Sequence, residues 1–220
     1  MNYELARHHM IQQQLRTSEV LSSQVVDLLY ADRREHYVPA AYRALAFADI
    51  AIPLGHGAQM LTPKLEARLL QAAALKHGDR VLQIGTGSGH LAALLAEQAG
   101  HVWSVEIVPE LAEQARANLH DDGVTNVTVE VGDGLAGLPT HAPYDCIVIS
   151  GGVATIPAAL QAQLKVGGRL LAFVAPVDRA PLMTLRQVTR QGEDAYAGVD
   201  LLETAVPCLQ GAAPGPAFRF

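Results

Sequence analysis

The stretch Arg80-Val81-Leu82-Gln83-Ile84-Gly85-Thr86-Gly87-Ser88-Gly89-His90-Leu91 constrains the fold more than any other part of the chain. A short apolar run meets three alternating glycines, and helix formers follow from Leu91 to Gln98, so the segment predicts strand, tight turn and helix in succession. A chain reversing from strand to helix visits positive φ, where glycine is unstrained, and the missing Cβ lets a ligand lie against the backbone. The helix opening at Gly89 also points unpaired N–H groups and its positive end at the turn. The segment reads as a nucleotide cradle. The plain alternative is a tight turn that binds nothing.

Beyond the cradle, acids stand at the ends of apolar runs. His101 to Glu106 predicts a second strand with Val102 and Val105 as apolar anchors and Glu106 at its carboxyl end. In open α/β sheets ligands sit beyond the carboxyl ends of strands, and an acid about 20 residues past the first glycine suits a grip on ribose hydroxyls. A surface salt bridge is the other reading of Glu106. A helix from Pro109 to His120 is expected, then a third strand from Asn126 to Val131 running into Gly132-Asp133-Gly134. Asp133 could accept a hydrogen bond from an adenine amino group while the neighbouring backbone N–H meets a ring nitrogen, although Asp-Gly is also a common plain turn.

Asp145 to Ser150 is continuously apolar after its first residue, as in a parallel strand buried on both faces. Gln163 to Arg169 is read as closing a helix and turning into a fifth strand, Leu170 to Val174. Leu182 to Arg190 and Leu201 to Pro207 follow as strands separated by Gln191-Gly192-Glu193-Asp194, and Gly211 to Pro216 reads as a loop. Strands alternating with helices in this way predict an α/β fold.

Upstream, apolar residues recur at helical spacing from Leu5 to Arg16 and from Ser22 to Arg33, with Val38-Pro39 closing the second helix. These helices carry too few large apolar residues for a core of their own, so residues 1–50 are expected to form a helical cap integral to one domain spanning 1–220. The segment Ile52 to Pro63 reads as a loop, and Thr62-Pro63 as an N-cap with proline at the first helical position, opening a helix through Leu75.

Half of the 220 residues are apolar and 17% are charged, which suits a compact globule, and the formal charge of −6 comes with no Lys/Arg cluster. Phosphate neutralisation needs a basic patch, so a nucleic-acid partner is not expected. Cys146 and Cys208 are far apart and outside any C-x-x-C spacing, and the histidines have no ligand spacing, so the sequence predicts neither a disulfide framework nor a metal site. The start, Met1-Asn2-Tyr3-Glu4, shows no leader pattern and no apolar run is long enough to span a bilayer, from which a cytoplasmic protein without membrane association is expected.

The glycine spacing G-x-G-x-G is shorter than the G-x-G-x-x-G of dinucleotide sites and resembles motif I of S-adenosylmethionine (SAM) dependent methyltransferases. Together with Glu106, Gly132-Asp133-Gly134, Asp145 through Ile149 and Gly167-Gly168, it resembles the class I methyltransferases in order and spacing. Val38-Pro39, the Pro53-Leu54-Gly55-His56-Gly57 loop, Ile156-Pro157 and Val206-Pro207 narrow the likeness to the protein-L-isoaspartate O-methyltransferases along nearly the whole chain. The resemblance implies a Rossmann-like, doubly wound, mostly parallel seven-stranded sheet. It also implies SAM as cofactor with S-adenosyl-L-homocysteine (SAH) as product, and methylation of the α-carboxyl of an isoaspartyl residue. It assigns the methionine part to Gly85, Gly87 and Gly89, the ribose to Glu106 and the adenine to Asp133, with Thr86, Ser88, Ile107 and Gly134 completing the cofactor set. The acceptor side falls on His56, Gln59, Met60, Leu61 and Thr62.

Three residues depart from that family. Leu61 stands at the position of a serine whose hydroxyl is associated with the substrate carboxylate. A hydrogen bond to a charged group contributes roughly 1.5–3 kcal/mol, so its loss should cost about 10- to 150-fold. Thr62 could supply the hydroxyl if the loop shifts, although capping explains it equally. Gln83 replaces a glutamate before the turn, and Glu66 replaces a histidine that often faces the site. No general base is needed, because a carboxylate of pKa about 4 is ionised at neutral pH and alignment alone can contribute roughly 7–11 kcal/mol. The competing expectation is a methyltransferase-fold protein that methylates a small molecule or only binds SAM. A nicotinamide-dependent dehydrogenase is the third, disfavoured by the glycine spacing.

Overall fold

The computed structural model describes residues 2–175 and 182–212, so the expected loop through Pro216 lies partly outside the described residues. Helix α1 (Tyr3–His9) is capped by the Asn2 side chain, which accepts from Leu5 N–H at 3.0 Å. It runs on through a π-helical stretch at Met10–Leu15 and a 3₁₀ turn at Arg16–Ser18, and stops at Glu19 with φ 62°. Helix α2 (Ser23–Ala31) starts from the Ser22 cap and ends two residues before the expected Arg33. Its end has a local cause. Asp32 is extended at ψ 146°, and Arg34 opens a separate turn, α3 (Arg34–Tyr37), so that both side chains reach buried partners.

The segment expected as a loop is a hairpin, β1 (Ile52–Gly55) paired antiparallel with β2 (Ala58–Met60). His56 and Gly57 form its tip at φ 51° and 76°. Two consecutive left-handed residues give the turn whose twist matches flanking strands; the glycine marks the hairpin tip and not an open loop. Helix α4 (Pro63–Ala73) opens at the Thr62 cap as expected and closes early, because Ala74 is left-handed at φ 42°.

The remaining elements are β3 (Arg80–Ile84), α5 (His90–Ala96), β4 (His101–Glu106), α6 (Pro109–Asp121), β5 (Val127–Val131), β6 (Tyr144–Val153), α7 (Ala158–Ala162), β7 (Leu164–Val174), β8 (Met183–Arg190) and β9 (Tyr196–Thr204). The described residues form a seven-stranded sheet in the order β5-β4-β3-β6-β7-β8-β9, parallel from β5 to β7 and antiparallel at β8 and β9. The chain winds outward from β3 to β5 and then returns to β6 on the other side of β3. That reversal opens a crevice at the carboxyl ends of β3 and β6, where ligands of such sheets lie.

Three strands differ from expectation in their boundaries. Strand β6 begins at Tyr144 and runs on past the expected Ser150 to Val153. Strand β7 begins at Leu164 because Lys165–Gly168 forms an irregular start, where a Cβ on Gly168 would stand 2.9 Å from the carbonyl oxygens of Lys165 and Tyr144. Strand β9 is shifted toward the N-terminus, pairing Tyr196 with Arg190 and Thr204 with Met183. As a half-exposed edge strand it shows weak apolar patterning. Val206 to Cys208 leave it to reach the sheet centre, where Cys208 bridges Gly152.

Successive residues of β3 serve opposite faces. Val81 packs with the cap and α4, among Met10, Ile11, Leu29 and Leu69, while Leu82 and Ile84 pack with Ile147, Ile149 and Leu170 on the other face. Leu82 is fully buried on the strand that aims the glycine turn. Leu82→Ala should therefore destabilise the protein by about 2–5 kcal/mol, read from urea unfolding; a loss under about 1 kcal/mol would contradict this packing.

Candidate active site

The glycine turn follows β3 directly, with φ of 87°, 57° and 87° at Gly85, Gly87 and Gly89. Strain at such angles makes side chains costly there. A Cβ on Gly85 would also stand 2.7 Å from Ser150 Oγ and 3.1 Å from Leu209 Cδ2. The turn is held from beneath by neutral groups. Gln83, fully buried, donates from Nε2 to Gly85 C=O at 3.1 Å and accepts at Oε1 from Ser104 Oγ at 3.1 Å, and Ser104 Oγ lies 2.6 Å from Thr86 Oγ1. The amide at this position thus supplies a donor to a carbonyl, which an ionised glutamate could not do.

Glu106 ends β4 and is 5% exposed. Its Oε2 accepts from Gly87 N–H at 2.8 Å and its Oε1 from Val108 N–H at 3.1 Å, so the carboxylate ties the turn to the next strand tip. Each carboxylate oxygen retains a second lone pair. Asp133, at the tip of β5, is exposed and accepts from Leu135 N–H at 2.9 Å in an Asx-type turn. Gly134 is buried against Ile84, so that a Cβ there would meet Ile84 Cγ2 at 2.6 Å. Gly85, Gly87, Glu106, Ile107, Asp133 and Gly134 line one cleft of about 720 Å³, partly open to solvent.

The opposite wall comes from residues that sequence reasoning missed. Ser150 and Gly151 of β6 and the segment Pro207–Gln210 complete the cleft, and Ser150 Oγ donates to Gly85 C=O at 2.6 Å. The half-buried Cys208 belongs to this wall, whereas burial pushes the Cys146 thiol up to about 12. Gln210 Nε2 reaches His56 C=O at 3.0 Å and links this wall to the β1–β2 hairpin.

Of the acceptor-side residues, Gln59, Met60 and Leu61 border a smaller hollow behind the turn, together with Thr86, Ser88, Glu66 and Ser150. Gln59 borders the main cleft as well. His56 stands exposed at the hairpin tip, and Thr62 Oγ1 accepts from Leu65 N–H at 3.3 Å as the cap of α4. The structure thus brings Gln59, Met60 and Leu61 to the turn and leaves His56 and Thr62 outside both hollows.

Behind that hollow lies a charged cluster that the sequence did not announce. His90, the first residue of α5, is 1% exposed; its Nε2 lies 3.0 Å from Asp32 Oδ2 and its Nδ1 lies 3.0 Å from Glu66 Oε2. Arg34, also 1% exposed, pairs with Glu66 through Nη1. Burial pushes the His90 pKa down, but the carboxylates of Asp32 and Glu66 outweigh it and raise it to about 9. Burial likewise pushes Asp32 up, and His90, aided by Arg34 and Arg7, more than reverses this and holds its carboxyl below the usual range.

The cofactor that the resemblance implies fits these residues. A glycine turn with positive φ at Gly85 and Gly87, a carboxylate with free lone pairs at the β4 tip and an exposed carboxylate at the β5 tip share one cleft. Among the described residues no group of three or more His, Cys, Asp or Glu side chains could hold a metal ion, and no helix is long and apolar enough to cross a membrane.

Comparison with known proteins agrees with this geometry. The family model described as Protein-L-isoaspartate(D-aspartate) O-methyltransferase matches residues 5–209. A protein-L-isoaspartate O-methyltransferase of Ignicoccus hospitalis is 40% identical over 211 residues, 94% of this chain and 99% of the relative. A protein-L-isoaspartate O-methyltransferase 2 of Pelobacter propionicus is 41% identical over 212 residues, 96% of this chain and 93% of the relative. Among solved structures, a protein-L-isoaspartate O-methyltransferase superposes with TM-score 0.78 at 27% identity over 92% of this chain, which spans 65% of that structure's length. A Plasmodium falciparum protein described as a beta-aspartate methyltransferase, in complex with SAH, superposes with TM-score 0.77 at 17% identity over 95% of this chain and 98% of its own, a likeness of fold.

Two outcomes are expected. Gly85→Ala should weaken SAH binding at least about tenfold by calorimetric titration, and unchanged affinity would exclude the turn as the cradle. Because the folded pKa of His90, about 9, exceeds its ordinary 6.5, its contribution to stability is complete below pH 6.5 and is lost as pH rises through 9. The urea midpoint should therefore fall between about pH 7 and about pH 9.5, and a flat midpoint over that window would contradict a charged His90.

Proposed function

The chain belongs to the protein-L-isoaspartate(D-aspartate) O-methyltransferase family of SAM-dependent methyltransferases, and from that premise we propose that it methylates the carboxylate of isoaspartyl residues in peptides and proteins. The observation that carries this reading is the meeting, in one cleft, of the glycine turn with the carboxylates of Glu106 and Asp133 at two neighbouring strand tips. The reading takes residues 1–220 as one domain. Support comes from the cap residues Met10, Ile11, Val25 and Leu29, which share a core cluster with Val81 of the sheet.

In this reading Gly85, Thr86, Gly87, Ser88 and Gly89 hold the methionine part. Glu106 accepts from the ribose hydroxyls while keeping its bonds to Gly87 and Val108. Asp133 accepts from the adenine amino group, with Gly134 beside it and the 42% exposed Ile107 against the ring. Bound there, SAM supplies an activated methyl carbon on a sulfonium sulfur. An acceptor carboxylate, ionised at neutral pH, would take the methyl group on its oxygen as the S–C bond gave way to the sulfur of the leaving SAH, so the protein need hold no general base. The protein's task is alignment, which falls to the hairpin residues Gln59, Met60 and Leu61 against the turn.

Leu61, 8% exposed and bordering the hollow with Met60, also favours a second reading, an apolar small-molecule carboxylate as acceptor. The net charge of −6 supports the absence of a nucleic-acid partner. The two free thiols suit a reducing compartment such as the cytoplasm.

Matched isoaspartyl and aspartyl peptides supplied with labelled SAM decide between the readings. Label entering the isoaspartyl peptide alone supports the first; tight SAH binding with no label in either peptide supports the second. Leu61→Ser should raise kcat/KM on the isoaspartyl peptide by about 10- to 150-fold. A variant that binds SAH and remains no better than the parent would show that the missing hydroxyl is not what limits recognition.

A further inference from the structure

Arg34, Glu66, His90 and Asp32 lie in three segments far apart in sequence, yet their side chains meet in the interior, each at most 8% exposed. Burying four ionisable groups is costly unless every charge is paired, and losing one member leaves an uncompensated charge. The cluster balances when His90 is protonated: two carboxylates face one guanidinium and one imidazolium. Arg34 Nη1 and His90 Nδ1 come within 3.1 Å of each other because both converge on Glu66.

The placement of the cluster gives it a direction. Arg34 Nη2 donates to Leu61 C=O at 2.7 Å and its Nε to Ala46 C=O at 2.8 Å, so one planar fork grips the acceptor-side hairpin and the cap together. His90 immediately follows Gly89, the last glycine of the turn. Glu66, which joins the two cations, borders the same hollow as Leu61, Thr86 and Ser88. The Tyr37 ring from α3 closes over His90 at 5.2 Å.

We propose that this cluster is a positioning device for methyl transfer, registering the Gln59–Leu61 side of the site against the glycine turn through Arg34 and His90. The proposal rests on the methyl-transfer reading above, since it assigns the turn to the donor and the hairpin to the acceptor. None of the four residues touches the reacting atoms. They act through the Leu61 carbonyl and the start of α5.

The test separates charge balance from packing. His90→Asn leaves two buried carboxylates against one guanidinium, whereas Asp32→Asn/His90→Asn restores neutrality with a similar loss of packing. His90→Asn should lower kcat on the isoaspartyl peptide and speed amide exchange at residues 58–62, each by roughly 10- to 100-fold. The SAH Kd should change by less than about threefold. The double variant should recover most of both losses. A double variant no better than the single one, or SAH affinity falling in step with kcat, would overturn the proposal.

If His90→Asn does not fold, Arg34→Lys carries the same readouts, because lysine keeps the charge but loses the fork that spans Leu61 and Ala46. For that variant, unchanged kcat and unchanged exchange at 58–62 would overturn the proposal. Exchange needs no acceptor. A parent protein that binds SAH but methylates neither peptide would therefore count against the transfer reading, while exchange in the variants still judges the cluster.

Discussion

The Glu106 carboxylate accepting from Gly87 N–H is the interaction on which the site depends. It fixes the middle of a turn whose three glycines would otherwise sample many conformations, and it does so from the tip of the neighbouring strand. The parallel pairing of β3 with β4 sets that distance, with Ile84 opposite Val105. The same carboxylate has lone pairs to spare, so one group both shapes the turn and lines the cleft beside it. Gln83, Ser104 and Thr86 support the turn from below with neutral hydrogen bonds, which avoids a second buried charge close to Glu106.

The two sides of the site are built by different physics. At the main cleft, sheet geometry suffices: carboxyl-end tips of β3, β4 and β5 stand in a row, each followed by residues that let the chain turn. At the smaller hollow, the wall is a hairpin with only three residues in β2, and it cannot hold its own position against the sheet. It is held by Gln210 at its tip and by Arg34 at Leu61, both reaching it from remote parts of the chain.

That division explains what the sequence made legible. Gly85, Gly87, Gly89, Glu106 and Asp133 are readable because turn chemistry and strand ends are local signals; the structure brings Gly85, Gly87, Glu106 and Asp133 into one cleft, while Gly89 sits at the start of α5, close against Ala115 and Leu119. The cluster of Arg34, Glu66 and His90 is not readable, because its members are up to 56 residues apart and a charged residue at a helix start looks like an ordinary exposed one. An early stop of α2 was its single local trace. The Pro207–Gln210 wall is hidden in the same way, since β9 is an edge strand whose weak alternation shifts the expected strand to Leu201–Pro207, and nothing local marks Cys208 to Gln210 as part of a site. Gly55-His56-Gly57 carries a hairpin signal that the Gly and Pro content of Ile52 to Pro63 masks as a loop: left-handed residues between short apolar runs favour a hairpin.

The central claim is that the crevice between the tips of β3, β4 and β5 holds a sulfonium nucleoside. A crystal structure of the protein soaked with SAH tests it most directly. The account predicts ribose hydroxyls on the Glu106 carboxylate, adenine between Ile107 and Asp133, and the amino-acid end along Gly85 to Gly89. Adenosine bound elsewhere, with both strand-tip carboxylates free of ligand, would contradict it.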